Sequence, residues 1–113
     1  MEQYAALFNP FAGNGRGEQE AKRLAEIFPN ASIRYIRMTE ITDYADVFSS
    51  LAEGEKIILC GGDGTLNRFI NDTKDITLPQ EILYFGVGSG NDFLHDLGKQ
   101  KGATPFCIDD YIK

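Results

Sequence analysis

Three segments hold residues whose types and spacing could do chemistry. Gly61-Gly62-Asp63-Gly64-Thr65 follows a short apolar run and opens a helical pattern. Glycine inside a regular element loses roughly 0.5–1 kcal/mol relative to alanine. Three glycines in five residues therefore mark backbone that must turn sharply or come close to a ligand. A helix start offers unpaired N–H groups and a partial positive charge, which suits phosphate. Thr65 adds a hydroxyl donor. Asp63 is repelled by phosphate, so it orients backbone, holds a ribose or joins a Mg²⁺–water network. The competing reading is a tight turn with Asp63 as N-cap.

Asn9-Pro10-Phe11-Ala12-Gly13-Asn14-Gly15-Arg16-Gly17 is a second candidate phosphate cradle. It is neither a Walker A loop nor a G-x-G-x-x-G fingerprint, since its spacing is G-x-G-x-G. Arg16 could pair with phosphate in bidentate fashion, or it could be a solvated arginine on a surface loop. Gly86-Val87-Gly88-Ser89-Gly90-Asn91-Asp92 is the third. Ser89 can cap the next helix or donate to phosphate, and Asn91 and Asp92 fall in that helix's first turn.

The elements that must position these loops alternate along the chain. Tyr4 to Phe8, Ser32 to Arg37, Lys56 to Cys60 and Ile82 to Phe85 read as strands, with Phe106 to Ile108 as a fifth. Glu18 to Phe28 reads as one amphipathic helix with Ala21, Leu24, Ala25 and Phe28 on its apolar face. Tyr44, Val47, Phe48 and Leu51 define a second helix, closed by Gly54. Leu66, Phe69 and Ile70 define a third. Pro79 marks a turn. Phe93, Leu94 and Leu97 suggest a short helix that Gly98 ends. Asp109 to Lys113 reads as a strand start or a linker. Strand–loop–helix repeated four times predicts an α/β fold: a three-layer, Rossmann-like parallel sheet with helices on both faces. Right-handed crossovers then bring every strand C-terminus to one edge, where ligands of such sheets bind near a switch in strand order.

Composition narrows the function. The 113 residues suit a single domain, here residues 1–113, and 42% hydrophobic with 25% charged content is ordinary globular usage. Net charge is −6, which argues against nucleic acid as a partner. Residues 1–37 are about neutral, and the rest carry the negative charge. An anion site must therefore rely on backbone N–H groups more than on a basic patch. Two cysteines, Cys60 and Cys107, sit in apolar runs and read as buried reduced thiols. One histidine and no Cys–His cluster leave no structural zinc site. Gly88-Ser89-Gly90 lacks the outer glycines of a nucleophile elbow. No apolar run approaches membrane-spanning length. Without a basic, apolar leader, the expected location is the cytoplasm.

Asn-Pro-x-Ala-Gly after strand one, Gly-Gly-Asp-Gly-Thr-Leu-Asn after strand three and Gly-Ser-Gly-Asn-Asp-Phe after strand four resemble, in order and spacing, the diacylglycerol kinase catalytic domain family, which includes sphingosine kinases and bacterial lipid kinases. The resemblance covers nearly the whole chain. Gly-Gly-Asp-Gly-Thr alone is shared with NAD kinases, and the other two motifs narrow it to lipid kinases. The resemblance implies that Asn9, Pro10, Phe11, Ala12 and Gly13 line an ATP site and that Thr39 contacts nucleotide. It implies that Gly62, Asp63, Gly64, Thr65, Leu66, Asn67 and Arg68 hold phosphates and ribose. Ser89 stands where the family has threonine, and Asn91 and Asp92 match an Asn–Asp pair near the site of transfer. Arg68 replaces a usual glutamate, Gly86 a usual proline and His95 a usual arginine. On its short helix, His95 reads most simply as a surface histidine.

The resemblance implies a parent well over twice this length, with a second, β-rich domain that supplies the general base and the main Mg²⁺ ligands. The chain therefore reads as the N-terminal nucleotide-binding half, with no catalytic base or metal ligand of its own. The implied activity is ATP- and Mg²⁺-dependent phosphorylation of a lipid hydroxyl, diacylglycerol to phosphatidate. This chain alone is expected to bind ATP weakly without turnover. Expected partners are ATP and the lipid, with peripheral membrane contact through the full-length protein; homo-oligomerisation stays open. The rival readings are a NAD kinase-like enzyme and a non-catalytic nucleotide-binding module.

Overall fold

Five strands form one mixed sheet in the order β2-β1-β3-β4-β5. The structure is a computed structural model and describes residues 2–78, 81–87, 95, 97–98 and 104–112. The strands are β1 (Gln3–Phe8), β2 (Ser32–Arg37), β3 (Lys56–Gly61), β4 (Ile82–Gly86) and β5 (Phe106–Cys107). The first four run parallel, with Phe8 opposite Cys60 on one side and Arg37 on the other, and Gly61 opposite Gly86. β5 pairs antiparallel to β4.

Alternation along the strands builds a core on each face. Leu7, Ile57, Leu59, Ile82 and Tyr84 meet Tyr44 of α4 (Tyr44–Ser49) and Leu66 and Phe69 of α5 (Asp63–Asp72). On the other face Tyr4, Ala6, Phe8, Ile58, Cys60 and Phe85 meet Ala21 of α2 (Gly17–Ala21) and Leu24 of α3 (Leu24–Ile27). This is the expected three-layer α/β arrangement, and β3, central and apolar from Ile57 to Cys60, contributes to both cores.

Several local expectations are corrected. The helix read over Glu18 to Phe28 is two short helices. Between them Arg23, Ala25 and Glu26 donate three residues back instead of four, a tightening of 3₁₀ type. Ala25 turns out to solvent while Ala21 and Leu24 stay buried. Asp109–Ile112 is a helical turn, α6, not a strand start or linker. Its Asp109 carboxylate accepts the N–H groups of Glu81 (3.0 Å) and Ile82 (2.8 Å) and so fixes the start of β4. Leu51 lies just past the end of α4, and Cys107 is exposed, unlike the buried Cys60. Gly98 takes φ +71, as a helix-ending glycine does. The turn at Pro79 and the helix around Phe93 and Leu94 fall outside the described residues.

Candidate functional site

The site builds from the edge where β1 to β4 end. The chain leaves β1 towards β2 on one side and returns to β3 on the other, so the switch in strand order lies between β1 and β3. The segments 9–17 and 61–65 leave the sheet there, side by side, because Phe8 and Cys60 are in register.

At the end of β3, Gly62 is the N-cap of α5 and Asp63 is the first helical residue, which corrects the N-cap reading of Asp63. The Leu66 N–H donates to the Gly62 carbonyl at 3.0 Å. The N–H groups of Gly62, Gly64 and Thr65 find no acceptor among the described residues. They form the unsatisfied donor set of a helix start. Thr65 is buried against Gly61, while Gly64 is exposed, with open space where a Cβ would stand. Leu66 is a core side chain. Asn67 is exposed, and Arg68 reaches Asp72 at 3.7 Å, one turn further along α5.

The segment after β1 is folded more tightly than an open glycine loop. The Asn9 side chain accepts the Phe11 N–H at 2.9 Å and its carbonyl accepts the Ala12 N–H at 3.1 Å. A single turn, α1 (Ala12–Gly15), follows. A Cβ on Gly17 would overlap the Asn9 carbonyl oxygen, so α2 starts directly against the end of β1. Phe11 is left 75% exposed. Arg16 is exposed and forms no ion pair with the described residues.

Thr39 sits, exposed, in a 3₁₀ turn (Met38–Glu40) after β2. Beside it is a cleft of about 680 Å³, with Phe8 and Tyr35 in its wall and Glu18, Lys22, Arg37 and Glu40 at its margin. Glu18 bridges Arg37 (2.7 Å) and Lys22 (3.2 Å). Its hydrogen bond with Lys22, together with the Arg37 guanidinium, holds the Glu18 carboxyl below the usual range. Sequence reading missed this cluster. The Glu18–Lys22 spacing was visible, but only strand register brings Arg37 to α2.

Ser89, Asn91 and Asp92 lie outside the described residues. Gly86 closes the β3–β4 ladder opposite Gly61, and His95 is exposed. Among the described residues no cluster of His, Cys, Asp and Glu makes a metal-binding set. Asp63 is the one carboxylate within the glycine segment, so a Mg²⁺ ion here would depend on phosphate oxygens and water for most of its ligands.

A doubly wound α/β sheet with a glycine turn opening a helix at its switch point defines a class of domain built to receive an anionic ligand at the strand ends. Residues 3–111 match the diacylglycerol kinase catalytic domain, so the chain belongs to that family and is a kinase-type catalytic domain of the lipid-kinase kind. No curated protein matches it.

Proposed function

We propose that this chain is the ATP-binding half of a lipid kinase that transfers the γ-phosphate of ATP to a lipid hydroxyl, with diacylglycerol as acceptor and phosphatidate as product. The observation that carries this reading is that an α5 start, with three N–H donors that find no acceptor among the described residues, and the segment bearing the exposed Arg16, which forms no ion pair with the described residues, both leave the sheet at the β1/β3 switch point. Gly62, Gly64 and Thr65 hydrogen-bond the phosphate oxygens, and the open space over Gly64 lets them approach the backbone. Arg16 pairs with a terminal phosphate. The cleft beside Thr39 takes the nucleoside. Mg²⁺, when bound, neutralises phosphate charge. Ser89, Asn91 and Asp92 belong to the same edge in this reading, and the base that activates the lipid alcohol lies outside residues 1–113. Phosphoryl transfer depends on positioning and charge stabilisation, so the chain alone binds nucleotide without turning it over. The whole enzyme works in the cytoplasm and touches the membrane peripherally.

Titrating the ¹⁵N-labelled chain with MgATP tests this. Shifts confined to Gly62, Gly64, Thr65 and the 9–17 segment are expected, with loss of affinity in Arg16→Ala. No shift at those amides at millimolar ATP overturns the reading. ADP release by the full-length enzyme, with diacylglycerol and with NAD as acceptors, separates a lipid kinase from a NAD kinase.

A further inference from the structure

We infer that Tyr84 is a positioning residue for the anion-binding turn, acting through the Gly61–Gly62 peptide. Tyr84 lies on β4, fully buried in the core between the sheet and α5. Its ring meets Phe106 edge-on at 6.1 Å. Phenylalanine would fill that apolar space equally well. A hydroxyl there carries a desolvation penalty unless it finds a partner, and its partner is the Gly61 carbonyl at 3.0 Å.

That carbonyl also accepts the Val87 N–H at 3.1 Å. Two donors from the β4 side thus hold one carbonyl at the last residue of β3. A trans peptide is planar, with its C=O and N–H pointing in opposite directions. Fixing the Gly61 C=O towards β4 therefore aims the Gly62 N–H towards β1, where the 9–17 segment leaves the sheet. Gly62 has no Cβ to restrict its backbone, so a turn with this sequence needs an outside anchor to keep that donor in one direction. The hydroxyl supplies it, and its contribution is the direction of one amide more than the packing of the core. The link to phosphate rests on the proposed nucleotide reading; the link to the Gly62 amide does not.

The experiment compares Tyr84→Phe with Ile82→Val, a core trim at the start of β4, away from the turn, in the full chain. Thermal melts establish that both variants fold. Amide spectra and hydrogen exchange report on Gly62 without ligand, and titrations with MgATP and with inorganic tripolyphosphate report affinity. In Tyr84→Phe the Gly62 amide should shift and exchange faster, and both ligands should bind about five- to tenfold more weakly. Ile82→Val should change neither. The inference is overturned if the Gly62 amide is unchanged in Tyr84→Phe, or if affinity falls equally in both variants. If the parent chain binds neither ligand, the nucleotide reading fails, and the anchor is then judged on the Gly62 amide alone.

Discussion

Gly61 and Thr65 are packed backbone to side chain: a Cβ on Gly61 would stand 2.5 Å from both the Cβ and the Oγ1 of Thr65. The first turn of α5 is drawn onto the end of β3 by that contact. Three residues on, Gly64 has nothing within 4 Å of a Cβ position. The two glycines should respond oppositely to alanine. Gly61→Ala overpacks the turn and should cost on the order of 1–3 kcal/mol. Gly64→Ala should raise stability by up to about 1 kcal/mol, because alanine is the better helix former. It should also weaken MgATP binding, since its methyl group occupies the space a phosphate would enter. Denaturant melts and titrations of the two variants check this. Unchanged ATP affinity in Gly64→Ala would argue against phosphate contact at that amide.

Gly17 makes the second close approach. Its Cα lies against the Asn9 carbonyl, with no room for a methyl group. Gly17→Ala should push α2 off the end of β1, cost about 1–3 kcal/mol and disturb the Glu18–Arg37 pair. A fall in denaturation midpoint with a changed Arg37 side-chain signal is the expected result.

Arg34 on β2 holds Glu55, just before β3, through two contacts of 2.8 and 3.1 Å, and Glu55 also accepts the Ala52 N–H. Burial raises the Glu55 carboxyl, but these hydrogen bonds outweigh it and leave the pKa below the ordinary value. A depressed carboxylate contributes stability above its unfolded pKa, about 4.3, and loses it as the pH falls through the folded value. Arg34→Met should therefore cost about 1 kcal/mol near pH 7 and progressively less below about pH 4. A penalty that stays constant from pH 7 to pH 3 would show that the pair contributes packing and not charge.

The two thiols should separate cleanly. Burial pushes the Cys60 thiol well above the usual range, while Cys107 is exposed. Thiolate is the reactive form. One cysteine should label rapidly in the native protein and the second only on unfolding. Rapid labelling of Cys107→Ser would mean that β3 opens far more readily than its buried, central position implies.

Much of this was legible in the residues. Tyr4 to Phe8 and Ile57 to Cys60 are continuous apolar runs that only a doubly covered parallel strand accommodates, and glycine after such a run marks its end. Those are local properties, set by side-chain chemistry and backbone freedom. The break after Ala21 and the helical turn at Asp109 were not legible, because each depends on partners distant in sequence: the sheet under Ala21 and Leu24, and the N–H groups of Glu81 and Ile82 that Asp109 accepts. Strand order likewise arises only when the elements pack. It decided that β1 lies beside β3, that Arg37 faces Glu18 and that the Tyr84 hydroxyl reaches the Gly61 carbonyl. Residue types and spacing determined which backbone could receive an anion; tertiary packing decided where its N–H groups point, because direction is set by hydrogen bonds across the sheet and not along the chain.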